Sequence, residues 1–400
     1  MKWDYDVIVV GAGPGGATAS RCCTRAGLKT LVIEKECFPR YKVCGGCLSL
    51  KTVQLLEFDL GSVIENTVHG ARFTYILRDP LFIDSQEPMG FMVMRERFDG
   101  LLIERSLEAG AELLEGKKVL GVREVAGGIE VEWEGGGKAR CEYLIGADGA
   151  GSVVARSFAL LPSREEEQGI GLQSEIPYSQ VVEMSEENRH RVYLDFGRVP
   201  NGYGWVFPKK EVLSVGVGGV LRGGEKANLQ PYFTGFLKDL NLIRDGKVGR
   251  VMGHRRPCFC DEKFRLAREN VLLVGDAGTL MDPLTGEGIY YAIQSGMLAA
   301  EAILRSKEKG ESPAAFYHER VRETLVGDLK WALHISRIIY RFPKISFRTL
   351  KRYPELGTLC AQVLGGQLNY QAFVARVKER IKDLLEGKLG AKIRRAMAQS

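Results

Sequence analysis

Residues 5–16 read YDVIVVGAGPGG, and this stretch decides the fold. Its first half, residues 5–10, is a β-branched run of the kind that forms a buried parallel strand. The run leads directly into Gly11, Gly13 and Gly16, which have the GxGxxG spacing. On its own this spacing is a weak signal, so the residues that follow decide its meaning.

The chain after these glycines completes a strand–helix–strand unit. An Ala-rich helical stretch occupies residues 17–26, and a second predicted strand, KTLVIEK, ends at Glu34. In such a unit the first glycine allows a tight turn, the second lets the backbone approach a pyrophosphate, and the third packs helix on strand. N–H groups at the helix start bind phosphates, and the acid after the second strand accepts from ribose hydroxyls. The residues predicted to form this dinucleotide site are Gly11, Gly13, Pro14, Gly15, Gly16, Glu34 and Lys35.

A second glycine-rich segment bears on the choice between NAD and FAD, which share this fingerprint. It reads NVLLVGDAGTLMDPLTGEGIYY and begins with a predicted buried strand. Asp276 follows that strand, where an acid suits the polyol chain of a ligand. Pro283, Gly286 and Gly288 then precede a long predicted helix that starts at Ile289. The N–H donors and the dipole of such a helix start favour an anion.

The order of these motifs resembles that of the para-hydroxybenzoate hydroxylase-like flavoproteins. Two further segments carry the resemblance: GADGAGS, with Asp148, and VMRERFDGLL, with Arg95 on a predicted helix. The resemblance implies FAD as the cofactor, with Asp276 on the ribityl chain and the following helix start at the N1 and O2 edge of the flavin. It also implies FAD contacts for Arg95, Val119 and Asp148. The sequence contains no second GxGxxG unit for NADPH.

The order of the motifs also predicts an α/β fold with a discontinuous FAD-binding domain. Between its pieces lie alternating segments such as HGARFTYIL and VLSVGVGGV, which are typical of antiparallel strands and predict an inserted sheet over the reactive face of the flavin. The predicted division is a Rossmann-type FAD-binding domain at residues 1–60, 93–160 and 258–305, an antiparallel β-sheet substrate domain at 61–92 and 161–257, and a basic helical C-terminal region at 306–400.

Two segments resemble the geranylgeranyl reductase family, whose members saturate the double bonds of prenyl chains. They are RYKVCGGCLS, residues 40–49, and YGWVFPK, residues 203–209. The residues that the resemblance places at the flavin are Cys44 and Gly45, and those that it places at the substrate are Gly46, Tyr203, Trp205, Phe207 and Pro208. Cys47 lies in the same loop and is a further candidate for the flavin, although relatives often carry a small residue such as Gly at its position. Period-2 alternation puts the three aromatic side chains on one face of a strand, where they form a wall suited to an isoprenoid. The alternative interpretation is that these three side chains form a core face of the sheet.

The resemblance implies a reaction in two stages. An external electron donor, ferredoxin or NAD(P)H, reduces FAD, and N5 of the reduced flavin then delivers hydride to one alkene carbon. An acid gives a proton to the other carbon, and Cys44, Tyr203 and an ordered water are all candidates. Because an isolated alkene has no carbonyl to accept charge, alignment and a dry cavity must contribute much of the acceleration. The sequence does not specify the prenyl substrate, its head group or the number of bonds reduced.

The spacing of Cys44 and Cys47 by itself fits a redox disulfide or half of a zinc site. A zinc site needs four ligands, and the other close pair, Cys258 and Cys260, has CxC spacing with His254 as the nearest histidine. We therefore expect no metal. A reversible Cys44–Cys47 disulfide beside the flavin stays open at this point.

Two other functions fit the same scaffold. The first is a flavin-dependent monooxygenase or halogenase, although halogenases differ where this chain has Cys44, Gly45 and Gly46. The second is a quinone-linked electron-transfer flavoprotein, which the basic C-terminal region would suit. The sequence has no iron–sulfur cysteine set to support it.

Composition and charge bear on the class of protein, its location in the cell and its partners. The chain has 400 residues, 45% of them apolar, and its nine cysteines are too sparse for a disulfide framework. The start, MKWDYD, has two acids where a signal peptide needs positive charge, so we expect a cytoplasmic protein.

The net charge of the chain is +6, and its positive charge is concentrated near the C-terminus. From residue 331 onward the sequence contains 14 Lys and Arg and 4 acidic residues. This tail predicts an anionic partner, either a membrane surface contacted by residues 376–395 or a phosphorylated substrate, with a solvated helical face as the alternative. No nucleic-acid partner is expected.

Overall fold

The computed structural model describes residues 3–160, 168–182, 184–221, 228–244, 248–260, 265–380 and 382. The strands are β1 Tyr5–Val10, β2 Thr30–Ile33, β3 Cys47–Leu48, β4 Ile64–Val68, β5 Gly70–Tyr75, β6 Arg78–Asp84, β7 Gly90–Val93, β8 Glu112–Leu114, β9 Val119–Val125, β10 Gly128–Trp133, β11 Gly137–Gly146, β12 Gln168–Pro177, β13 Arg191–Phe196, β14 Gly202–Pro208, β15 Val212–Leu221, β16 Met252–Pro257, β17 Ala267–Arg268 and β18 Val271–Leu273. The helices are α1 Pro14–Arg25, α2 Leu50–Gln54, α3 Arg95–Glu108, α4 Val153–Ser157, α5 Glu186–Arg189, α6 Gln230–Leu240, α7 Ile289–Lys309, α8 Pro313–Val321, α9 Gly327–Arg341, α10 Pro343–Arg352 and α11 Pro354–Leu364, followed by helical residues 370–380.

The parallel sheet is built from strands that are buried on both faces. Its order is β17-β18-β11-β1-β2-β8, and each neighbouring pair is parallel except β17 with β18. The antiparallel pair β9 and β10 extends the sheet beside β11. Helices α1, α3 and α7 cover one face, and the β9–β10 extension with α4 covers the other. This arrangement explains the uninterrupted apolar run of β1, since residues 7–10 have core on both sides.

Two glycines bring α1 and α7 into backbone contact. A Cβ on Gly15 would lie 2.9 Å from the Ala292 carbonyl oxygen, and one on Gly296 would lie 2.4 Å from the Gly15 carbonyl oxygen. Gly15 and Ala292 both lie in the first turn of their helices. The N-termini of α1 and α7 therefore lie side by side at one edge of the parallel sheet.

The antiparallel sheet has the order β16-β12-β15-β14-β13-β5-β6, in which only the pair β13–β5 is parallel. One face packs on α6 through an apolar cluster that includes Val206, Val215 and Phe233. The opposite face packs on α10 and α11. A third, small sheet has the strand order β3-β7-β4.

The chain after residue 305 is helical, as predicted, and folds back onto the antiparallel sheet. Pro343 and Pro354 begin α10 and α11, where proline fits the first turn of a helix. Phe347 of α10 stacks on Tyr75 of β5 with ring centroids 6.4 Å apart. The end of the predicted basic tail, residues 383–400, lies outside the described residues.

These elements confirm the predicted fold class, a parallel-sheet FAD-binding fold with a separate antiparallel sheet and a helical C-terminal region. The domain boundaries stay a prediction. None of the helices that the structure describes is both long and apolar enough to cross a bilayer.

Candidate active site

A cavity of about 860 Å³ lies where the three parts of the fold meet. Its walls are the loop at residues 43–47, one face of the antiparallel sheet, the loop at 281–289, and the C-terminal helices between residues 335 and 378. Its size is within the range of about 300–1,000 Å³ that is typical of small-molecule sites. The C-terminal wall is the part that the sequence motifs did not predict.

The predicted aromatic wall is one side of this cavity. Tyr203, Trp205 and Phe207 of β14 all line it, with successive ring centroids 6.0 and 6.2 Å apart. Val206 faces the opposite way, into the core beneath α6. Pro208 is buried on the same face of β14 as Val206 and is not among the residues that line the cavity. The period-2 prediction therefore holds for the three aromatic residues and does not extend to Pro208.

The loop after residue 43 crosses this wall at close range. A Cβ on Gly45 would lie 2.7 Å from the Phe207 ring, so only a glycine allows the loop to lie flat on the wall. Gly46 has φ +74°, and a Cβ there would lie 2.2 Å from the Val93 carbonyl oxygen. The two glycines place the neighbouring Cys44 in the cavity lining.

The GxGxxG turn has the geometry that a pyrophosphate requires. Gly11 has φ +99°, and a Cβ on Gly16 would lie 1.9 Å from the Gly11 carbonyl oxygen. At Gly13, by contrast, the nearest group among the described residues is the Arg40 Nη2, at 4.0 Å from a Cβ position. No described side chain caps the first N–H groups of α1. The turn is therefore packed tightly on one side and open on the other, which fits the phosphates of FAD.

The acid after the second strand faces this turn. Glu34 is 5% exposed, and its Oε2 accepts from the Ala12 N–H at 2.8 Å. Arg40 lies beside it, with Nε 3.8 Å from the same oxygen and without a hydrogen-bond partner in the described part of the chain. Arg40 is not among the predicted site residues, although it opens the stretch RYKVCGGCLS. A buried guanidinium with a spare donor at the glycine turn is a further group that could hold a phosphate.

Arg95 is held by a buried carboxylate at the start of α3. Its Nε and Nη2 donate to the two oxygens of Asp99 at 2.8 and 2.9 Å, and Arg40 Nη2 lies 3.2 Å from Asp99 Oδ2. Burial disfavours the charged guanidinium, but Asp99 and the nearby Cys44 outweigh it and raise the pKa of Arg95. Because Cys44 contributes to the raised pKa of Arg95, the positive charge of this guanidinium lies near the thiol.

The second predicted FAD segment is also open to a ligand. Gly288 precedes α7 without a side-chain cap from any described residue, and a Cβ there would lie 3.3 Å from Asp276 Oδ1. Asp276 is half-buried and Ile289 is buried. This acid, beside an uncapped helix start, fits the predicted site for the polyol and the flavin edge.

Three other predicted FAD contacts have different surroundings. Asp148 Oδ2 accepts from the Val153 and Val154 N–H groups and so caps α4, while its Oδ1 is buried without a partner among the described residues. The side chain of Val119 lies in the core beneath the parallel sheet, and Lys35 is exposed. Their roles toward FAD stay predictions.

The loop between Asp282 and Gly288 is fixed by its own acid and by tyrosines from distant parts of the chain. Asp282 Oδ1 accepts from the Leu284 and Thr285 N–H groups at 2.7 and 3.1 Å. The hydroxyl of Tyr370 donates to Asp282 Oδ2 at 2.6 Å. Tyr203 and Tyr340 donate to the carbonyl oxygens of Thr285 and Leu284. The antiparallel sheet and the C-terminal helices thus set the position of this loop.

A second buried contact fixes the same loop from the opposite side. Glu287 accepts from Ser49 at 2.6 Å and from Thr52 at 3.3 Å, and its Oε2 lies 3.0 Å from Lys51 Nζ. Burial lowers the pKa of Lys51, but Glu287 outweighs burial and raises it. Sequence analysis did not find these residues, because Ser49 and Glu287 are 238 positions apart.

Replacing Tyr370 by Phe is expected to destabilise the fold by about 1–3 kcal/mol, because it leaves a buried carboxylate oxygen of Asp282 without its donor. Asp282 is 1% exposed, so water cannot replace the lost hydrogen bond. Urea unfolding measures the change. Tyr353→Phe is the control, since the Tyr353 hydroxyl forms no hydrogen bond with any described residue. Equal unfolding midpoints for the two variants would contradict the role of Tyr370.

Cys44 and Cys47 are not joined by a disulfide in this structure. All nine cysteines lie in described parts of the chain, and none is in a disulfide. Cys47 lies against Gly90, and burial raises the pKa of its thiol to about 12. Within the described residues no three His, Cys, Asp or Glu side chains are placed to hold a metal ion.

Cys47 is expected to resist alkylation in the native protein. With a pKa of about 12, only about one thiol in ten thousand is ionised at pH 8, whereas Cys37 is exposed. Iodoacetamide at pH 8 followed by peptide mass spectrometry should therefore find Cys37 modified first. A thiol count that differs between oxidised and reduced enzyme would instead indicate a Cys44–Cys47 disulfide.

Comparisons with known proteins agree with this geometry. The FAD binding domain family matches residues 4–194. The chloroplastic geranylgeranyl diphosphate reductase of Nicotiana tabacum is 32% identical over 360 residues, which cover 84% of this chain and 75% of the relative. The chain belongs to the geranylgeranyl reductase family. A second relative, the menaquinone reductase of Mycolicibacterium smegmatis, is 30% identical over 380 residues, which cover 91% of this chain and 92% of the relative. The protein is accordingly an FAD-dependent oxidoreductase of this family.

Solved structures extend the likeness to the whole fold. A crystal structure of a geranylgeranyl bacteriochlorophyll reductase-like protein from Thermoplasma acidophilum has a TM-score of 0.77 and 25% identity, and the match covers 96% of this chain and 98% of that one. A flavin-dependent brominase has a TM-score of 0.70 at 20% identity over 95% of this chain and 99% of its own. At that identity the brominase shares the fold alone.

Proposed function

We propose that this member of the geranylgeranyl reductase family saturates carbon–carbon double bonds of a prenyl chain carried by a lipid or another isoprenoid. The observation that carries the proposal is the apolar cavity, whose aromatic wall faces the loop at residues 281–289 beside the FAD site. Relatives named for geranylgeranyl diphosphate, digeranylgeranylglycerophospholipid and menaquinone support a prenyl substrate.

FAD, when bound and reduced, supplies the hydride for such a reduction. The residues of the chain hold the alkene and exclude water from it. Tyr203, Trp205 and Phe207 offer three adjacent ring surfaces to an extended apolar chain. Hydrogen bonds fix the Asp282–Gly288 loop, so this wall of the cavity would keep its shape when the alkene binds. Such a rigid site suits an alkene, which offers no polar group for orientation.

Cys44 is better placed than Tyr203, the other side chain among the candidate proton donors. The Tyr203 hydroxyl donates its proton to the Thr285 carbonyl oxygen, whereas Cys44 lines the cavity beside Arg95. We propose that the Cys44 thiol gives a proton to one alkene carbon and that Tyr203 positions the loop. Cys44→Ala should then lower kcat by about 10²-fold or more. Cys44→Ser should lower it by less, because the serine hydroxyl still carries a proton at the position of the thiol.

Anaerobic turnover with mass spectrometry tests the function. The dithionite-reduced protein is mixed with geranylgeranyl diphosphate or a prenylated lipid, and the product should gain the mass of two hydrogen atoms for each bond saturated. If no prenyl compound gains mass while quinone or oxygen with a phenol reoxidises the enzyme, the proposal is wrong and one of the other functions of the scaffold replaces it.

A further inference from the structure

The corner between α9 and α10 carries three large apolar side chains that are exposed to water. Ile338, Phe342 and Ile345 are 62%, 52% and 64% exposed. All three also line the cavity. A side chain that lines a cavity and is more than half exposed must lie at its opening. We call these three residues the apolar mouth.

The structure holds this corner firmly in place. The helix α9 ends at Arg341, Phe342 has a non-helical backbone, and α10 starts at Pro343 in a new direction. Phe347 of α10 is 7% exposed and packs on Tyr75, which anchors the helix to the antiparallel sheet. The position of the apolar mouth therefore follows from the packing of α10 on the antiparallel sheet.

Positive charge surrounds the apolar mouth. Residues 329–354 contain seven Lys and Arg and no acidic residue. Arg341, Lys344 and Arg348 alternate with the apolar residues and are exposed. None of these three forms an ion pair with another described residue, whereas Lys351 further along α10 pairs with Asp79. The corner thus combines an apolar tip with cations that have no counter-charge in the described part of the chain.

We infer that this corner docks on an anionic lipid bilayer, with the apolar mouth at the acyl-chain boundary and Arg341, Lys344 and Arg348 among the head groups. Apolar side chains within a basic face are the features that seat a helix in a membrane interface. A symmetric contact between two copies would instead oppose these cations to each other. The inference rests on the proposed function, because docking would let a prenyl chain pass from the bilayer into the cavity without crossing water.

Vesicle flotation of the FAD-loaded full chain tests the inference. Vesicles of phosphatidylcholine with about one third phosphatidylglycerol should bind the protein, and those of phosphatidylcholine alone should bind it several-fold more weakly. The docking variant combines Ile338→Ser, Phe342→Ser and Ile345→Ser. It should weaken binding to the anionic vesicles at least tenfold.

Two further variants separate the causes. A control combines Leu107→Ser, Leu120→Ser and Val182→Ser, which change exposed apolar residues on other surfaces, and should bind within twofold of the unmodified chain. A charge variant combines Arg341→Gln, Lys344→Gln and Arg348→Gln, and should lose binding to anionic vesicles while its weak binding to phosphatidylcholine is unchanged.

Three results would overturn the inference: no flotation of the unmodified protein at low salt, equal losses in the docking and control variants, or loss only when the cations at residues 388–395 are neutralised. The last result would assign docking to the tail. Reduction of a detergent-dispersed prenyl compound is measured separately. Turnover without vesicle binding would reject only the docking surface, and vesicle binding without turnover would reject only the proposed function.

Discussion

Replacing Gly16 by Ala is expected to yield a protein that purifies without FAD and unfolds at a lower urea concentration. The new Cβ would lie 1.9 Å from the Gly11 carbonyl oxygen. Both atoms have positions fixed by the backbone, so rotation of a side chain cannot relieve the contact. Relief requires a shift of α1 against the glycine turn that is predicted to bind the pyrophosphate. We expect a loss of about 1–3 kcal/mol or more from this overpacking.

Gly13→Ala is the matched comparison in the same turn. Gly13 has φ −71°, and no described group lies closer than 4.0 Å to its Cβ position, so the fold should tolerate the methyl group. The methyl group would occupy the space that the pyrophosphate needs, so this variant should also lose FAD.

Two measurements separate the glycine variants. The ratio of flavin to protein absorbance reports FAD, and urea unfolding of FAD-stripped samples reports stability without the contribution of binding. Gly100→Ala in α3 is the control, since no group lies within 4 Å of its Cβ position. This variant should keep FAD and unfold at an equal or slightly higher urea concentration, because alanine has a higher helix propensity than glycine. If Gly16→Ala keeps both FAD and the urea midpoint of the control, the close packing of the turn is wrong.

Asp99→Asn is expected to destabilise the protein by about 3–5 kcal/mol, because it removes the counter-charge of two buried guanidinium groups. Asp99 is fully buried and contacts both Arg95 and Arg40 within 3.2 Å. The amide is close in shape to the carboxylate, so the loss reports the charge and not a cavity. Without the Asp99 carboxylate, Arg95 would also no longer be held in one orientation near Cys44.

Glu108→Gln provides the control for this substitution on the same helix. Its carboxylate pairs with Arg105 at 2.6 Å, but it is 52% exposed, and such a pair contributes about 1 kcal/mol or less. Urea midpoints of the two variants should therefore differ clearly. Similar midpoints would show that Asp99 carries little of the charge balance at the start of α3.

The C-terminal helices have two roles at the site. Tyr340 and Tyr370 hold the Asp282–Gly288 loop from one side, and residues of α9, α10 and the last described helix complete the cavity. The cavity therefore lies between parts of the chain that are distant in sequence. Substitutions in the C-terminal region can change the shape of this cavity without changing the glycine turn.

The sequence by itself determined the parallel strands, the glycine turn and the aromatic wall. These features depend on local geometry: the period of side chains along a strand, the positive φ at Gly11, and the lack of space for a Cβ at Gly16. For the same reason the alternation in β14 correctly grouped Tyr203, Trp205 and Phe207. It could not place Pro208, which the resemblance alone put at the substrate and which lies on the other face.

Only the tertiary structure decided which distant residues meet. Tyr370 and Asp282 are 88 positions apart, Ser49 and Glu287 are 238 apart, and no local pattern marks either pair. The apolar mouth likewise depends on how α9 and α10 pack on the sheet, since the same residues would be core if the helices were rotated. Burial and charge pairing depend on contacts between distant parts of the folded chain. The sequence therefore predicted the residues of the FAD site, whereas the tertiary structure decided which residues line the cavity.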